Sequence, residues 1–166
     1  MTYTKNQLTY LVILRLLIGW HFLYEGVVKL WNPEWSSKGF MMSSEWIFED
    51  LFQTMAQNEG ILSMVDFINV WGLTIIGLLL ILGLFNKAAS IGGVALLAMY
   101  YLAHPPLVGI VSALPTEGSY LIVNKNLIEL FALLVICAFP TSHIIGIEHL
   151  IAKFRGAAID ESTDSK

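Results

Sequence analysis

The residues best suited to chemistry in this chain are ionisable groups set inside long apolar stretches. Glu25 and Glu129 each lie in such a stretch, and His21 precedes Glu25 by one helical turn. A carboxylate or imidazole held in lipid is costly unless it is paired, hydrogen-bonded or protonated, and groups so placed usually face a bundle interior or a cavity. His21, Glu25 and Glu129 are therefore the candidates for catalytic proton movement. Arg15, Lys29, His104, Lys125 and Asn126 are the candidates for holding a polar substrate beside them. Two of these also have simpler readings. Arg15 can snorkel to headgroups, and Lys29 can serve only as the i+4 ion-pair partner of Glu25.

Helical spacing turns these residues into a surface. At about 100° per residue, Arg15, Gly19, Phe22, Gly26 and Lys29 fall on one stripe, with His21, Glu25 and Lys29 forming its polar edge. The two glycines allow a neighbouring helix to approach closely. Counted inward from the outer ends of their stretches, Glu25 and Glu129 lie at similar depth, about 5 to 9 Å below the boundary at 1.5 Å per residue. Lys29, His104, Lys125 and Asn126 lie just above them, so a polar cluster is expected near one face. Haem ligation by His21 and His104 is disfavoured, because their depths differ by about 10 Å. No tight metal-ligand motif is present, and the single cysteine, Cys137, excludes an intrachain disulfide or a C-x-x-C thiol mechanism.

The elements that position these residues follow from composition. The chain is 56% hydrophobic and 13% charged over 166 residues, with a mean hydropathy of +0.68, where soluble domains are about 25% charged. A net charge of -4 leaves no basic stripe for nucleic acid. A membrane-crossing helix needs about 20 apolar residues. Four stretches are read as spans: about Leu8–Leu30, Phe67–Phe85, Ala88–Ala103 and Tyr120–Phe139, the third short and closed by His104-Pro105-Pro106, the last closed by Pro140. Asn86-Lys87 is the tight turn between the second and third. The expected fold is all-α, an integral membrane four-helix bundle with short interfacial helices. One interfacial helix is expected over Glu45–Gln57 with Ser44 as N-cap, and another after Pro140 through Ile144, Ile147, Ile151 and Phe154. Residues 1–156 form a single domain, and 157–166 a polar, disordered cytoplasmic tail. Lys5, Lys87, Lys153 and Arg155 on one side put both termini in the cytoplasm of a cell's inner membrane.

The run from Arg15 to Lys29, with its Arg, Gly, aromatic, Gly and Lys, resembles the first span of the DoxX-like membrane proteins. The segments from Asn32 to Gly39 and from Glu117 to Glu129 resemble the DoxD branch, the small subunit of thiosulfate:quinone oxidoreductase, and the likeness runs to Pro140. The resemblance implies a membrane subunit that helps pass electrons from thiosulfate or another sulfur compound to quinone, alongside a second subunit with an extracytoplasmic part. A quinone needs an apolar slot and a few polar groups for its oxygens and protons. Trp20, Phe22, Tyr24, Trp31 and Trp35 are candidates for that slot, although Trp and Tyr collect at membrane interfaces in any case. The alternative is a non-enzymatic accessory, assembly or small-solute transport component.

Overall fold

In a computed structural model the described residues are 2–107 and 121–154, and they are helical throughout their regular elements. The helices are α1 (Lys5–Leu30), α2 (Lys38–Met42), α3 (Glu49–Gln57), α4 (Glu59–Leu82), α5 (Asn86–Ala103) and α6 (Lys125–Ala138), and residues 147–154 are helical as well. Arg155, the expected tail and the Glu117–Tyr120 part of the family-like segment lie outside the described residues. By length and apolarity, α1 and α4 are each able to cross a membrane. Their outward faces carry Leu17, Phe67 and Ile75 at 63%, 63% and 50% exposure, so apolar side chains point to the surroundings as lipid contact requires.

Sequence explains where the helices begin and end. Thr4 and Gln7 form a capping box at the start of α1, each side chain bonding the other's backbone N–H at 3.3 and 2.9 Å. Asn58 accepts from the N–H groups of Gly60 and Ile61, so α4 starts eight residues before the expected Phe67. Asn124, expected inside the fourth span, instead caps α6 through the Leu127 N–H and shortens that helix to 14 residues. α4 ends in a Schellman motif, with Gly83 left-handed and Leu84 donating to the Leu79 carbonyl. The turn into α5 is therefore Gly83–Phe85, and Asn86 and Lys87 open the helix rather than forming the turn. Phe85 is also left-handed at φ 48°, a conformation that costs a side-chain-bearing residue about 1 to 2 kcal/mol. The interfacial helix expected from Glu45 starts only at Glu49, because the Ser44 hydroxyl donates to the Ala103 carbonyl at 2.9 Å and caps nothing.

α1 packs on α4, α4 on α5, α5 on α6, and α6 returns to α1. Ile18, Phe22, Leu73, Leu80, Leu97, Leu133 and Ile136 fill the space between them. Both stripe glycines meet α4, as their spacing implies. A Cβ on Gly26 would lie 2.6 Å from the Thr74 backbone nitrogen, and one on Gly77 of α4 would lie 2.3 Å from that of Leu23. At one end of this core, α2 and α3 form a small cap in which Met41, Phe52, Ala56 and Ala103 are buried together.

At the other end sits Arg15, 2% exposed rather than extended to headgroups. Its guanidinium donates to Thr141 Oγ1 and to the Ile145 carbonyl, each at 2.9 Å, and so fastens the segment after α6 to α1. Arg15→Met keeps the length and the apolar stem but removes both charge-assisted bonds. We expect a loss of about 3 kcal/mol, with faster amide exchange over residues 141–148. Unchanged protection there would show that the segment is held by its apolar contacts alone.

Candidate functional site

The end of the core beneath the α2/α3 cap contains a cavity of about 520 Å³. α1 supplies His21, Glu25 and Lys29 to its wall at successive helical turns, and the start of α6 supplies Lys125 and Asn126. α4 and α5 contribute Asn69 and Tyr100. Phe22, Phe40, Leu73 and Leu97 make the apolar part, so the lining joins oily side chains to a few polar groups, the form of a site for a mostly apolar ligand with a few polar atoms.

Glu129 stands behind His21. Its Oε1 lies 2.7 Å from His21 Nδ1, while its Oε2 is buried without a hydrogen-bond partner. When the carboxylate is ionised it only accepts, which puts the proton on Nδ1 and leaves the lone pair on Nε2. The imidazole is the accessible member, its side chain 31% exposed against 10% for Glu129. The pair is thus built as a base on the cavity wall, oriented by a carboxylate that does not itself line the cavity.

A second polar chain crosses from α1 to α5. Lys29 Nζ donates to Asn69 Oδ1 at 3.1 Å, and Asn69 Nδ2 donates to the Tyr100 hydroxyl at 2.6 Å. Because that hydroxyl oxygen accepts from Asn69, its own proton is available as a donor. Lys29 also lies 3.7 Å from Glu25 and 4.9 Å from the centre of the Trp35 ring. Trp35 is held over the site by its neighbours: Ser36 Oγ, Ser37 N and Ser37 Oγ all donate to the Asp66 carboxylate of α4, at 2.8, 2.8 and 2.5 Å.

The structure gathers most of the candidate residues and separates two. His21, Glu25, Lys29, Lys125 and Asn126 share the cavity, and Glu129 adjoins it. Arg15 lies at the opposite end of the core, committed to Thr141 and Ile145. His104 does not line the cavity either: its Nε2 is 2.8 Å from the Phe40 carbonyl and its ring packs edge-on against Phe40. Neither is placed to hold a ligand beside Glu129. Of the five candidate slot aromatics only Phe22 and Trp35 line the cavity, while Trp20, Tyr24 and Trp31 point outward at 62%, 56% and 83% exposure. Asn69 and Tyr100 are not among the sequence candidates, since neither is charged nor adjacent to a charged residue. The available signal was an amide near the start of a largely apolar stretch.

The DoxX family model matches residues 10–105, from the first turns of α1 to just past the end of α5. Neither the curated proteins nor the solved structures yield a match. The matched span includes every wall residue of the cavity except those of α6, and it covers more than half of the sequence: the chain belongs to the DoxX family of membrane proteins.

Proposed function

We propose that this chain is a membrane subunit of a quinone-linked oxidoreductase of the DoxD type, passing electrons from thiosulfate or another sulfur compound to quinone. The observation that carries this reading is the cavity with a base at one wall and a hydroxyl donor at another. A quinone ring fits against Phe22, Leu73 and Leu97, with one oxygen directed to Tyr100 and the other to His21. Reduction to the quinol takes up two electrons and two protons, and oxidative coupling of two thiosulfates through a new S–S bond releases two electrons. His21 supplies one proton from Nε2 once protonated there, with Glu129 stabilising the imidazolium, and the Tyr100 hydroxyl supplies the other and regains it from water. Tyr100 and Lys29 favour the charge that develops on the far oxygen, with Asn69 holding both in place.

In this reading all four long helices span the membrane. α5 and α6 rise about 27 and 21 Å at 1.5 Å per residue, against a hydrocarbon core of about 30 Å, and the bilayer thins or the flanking loops complete the crossing. Lys5, Lys87 and Lys153 put both termini in the cytoplasm of the inner membrane. The α2/α3 cap then faces outward and receives a second subunit with an extracytoplasmic part. The test is purification in mild detergent with native partners, followed by quinone extraction and a thiosulfate-dependent quinone-reduction assay. We expect bound quinone and activity in the complex.

One observation favours the alternative of a non-enzymatic accessory, assembly or small-solute transport component. Glu25, Lys29 and Asn69 satisfy one another without a ligand, as a purely structural cluster does. A complex that contains no quinone and reduces none with any sulfur donor would establish that alternative.

A further inference from the structure

A second cavity, also about 520 Å³, lies at the opposite end of the core, against the turn between α4 and α5. Its polar lining carries both signs of charge. The first turn of α5 belongs to it, where Phe85 is the N-cap and no side chain caps the N–H groups of an 18-residue helix. Lys87 of that turn and His143 opposite it line the same cavity. An uncapped helix N-terminus beside a lysine attracts an anion, phosphate above all. The same lining holds Glu148, which accepts from Ser142 Oγ, and Asn86, the first residue of α5, 2% exposed with Oδ1 buried and without a partner. An amide oxygen in that state calls for a donor, which the phosphodiester of a lipid headgroup does not supply.

We propose that this cavity binds the headgroup of an ethanolamine phospholipid, with its phosphate at the α5 N-terminus and Lys87 and its ammonium between Glu148 and Asn86 Oδ1. A zwitterion of that form answers both signs of the lining, and a choline headgroup does not, because it has no N–H to give. The apolar residues fit the rest of the lipid. Phe85, at the N-cap of α5, and Ile91, one turn into it, are 64% and 55% exposed and line the cavity, an apolar surface for acyl chains. The cavity also stands at the end of α4, whose apolar length sets it at the bilayer boundary. The inference does not depend on the quinone reading, because it uses none of the residues of the first cavity.

The test uses the full chain, delipidated in mild detergent and titrated with short-chain phosphatidylethanolamine, phosphatidylcholine or inorganic phosphate. Retention is read by native mass spectrometry, and stability by thermal unfolding. We expect the ethanolamine lipid to be retained about tenfold better than the choline lipid, the worth of one hydrogen bond to a charged donor, and to raise the unfolding temperature. Lys87 is exposed, so Lys87→Gln folds as the parent does and loses most of that retention. Equal retention of the two lipids, or unchanged retention in Lys87→Gln, would overturn the proposal. So would inorganic phosphate producing the full thermal shift, since the site would then be one for a free anion.

Discussion

Glu129→Gln is expected to insert and fold like the parent but to lose quinone-linked activity by about a hundredfold or more, the lower range for removing a positioned acid–base group. The substitution is nearly isosteric, and Gln can still hydrogen-bond His21 Nδ1, now 2.7 Å from the carboxylate. What it removes is the negative charge that favours a proton on the imidazole. It also changes Oε2, a buried oxygen that has no partner, into part of a neutral amide. The structure makes Glu25→Gln a useful contrast. The i, i+4 spacing alone makes Glu25 the helical partner of Lys29, and its loss would then leave Lys29 unpaired and the fold less stable. Lys29 in fact donates to Asn69 and lies over Trp35, and the Glu25 side chain is 46% exposed. Glu25→Gln is therefore expected to change stability by less than about 1 kcal/mol, as for a surface ion pair. Turnover measurements beside thermal unfolding separate the two variants. An active Glu129→Gln protein would reduce the His21–Glu129 pair to a structural tie.

The largest expected effect on folding belongs to the glycines at the α1–α4 crossing. Gly26→Leu or Gly77→Leu should cost more than about 3 kcal/mol, because the added atoms meet backbone rather than side chains that can move aside. The Cβ alone would lie 2.6 Å from Thr74 N in the first case and 2.7 Å from the Gly19 carbonyl oxygen in the second. Gly72→Ala on the same helix is the control, since its Cβ would meet only Leu96 Cδ1 at 3.5 Å. The readout is the fraction of monodisperse protein in detergent and its unfolding temperature. Parental behaviour of both leucine variants, with Gly72→Ala indistinguishable from them, would mean that α1 and α4 do not cross as described.

The difference between what was legible in the sequence and what was not has physical causes. The Gly19 and Gly26 stripe was readable because a seven-residue spacing returns to the same helix face, and the partner helix is found there. The polar cluster was readable because charges in apolar runs need compensation. Its exact pairing was not. Span ends estimated from apolarity place Glu129 level with Glu25, yet Asn124 caps α6, and Glu129 meets His21, one turn below Glu25. Capping asparagines also explain the late start of α6 and the early start of α4, where hydropathy alone registers only a polar residue. Asn69 and Tyr100 were invisible to a search for charge, although they complete the cavity. By type alone Arg15 groups with the polar residues of the site, and only the path of residues 141–145 after Pro140 shows it to be a fastener at the other end.

Photolabelling tests the central claim, that the first cavity holds a quinone headgroup between His21 and Tyr100, most directly. The native complex is irradiated with an azido-quinone and the labelled peptides are mapped. The account predicts label on the α1 segment around His21–Lys29 and on α5 near Tyr100, suppressed by excess short-chain quinone and diminished in Tyr100→Phe. Label spread over outward residues such as Leu17, Phe67 and Ile75, with no competition by quinone, would contradict it.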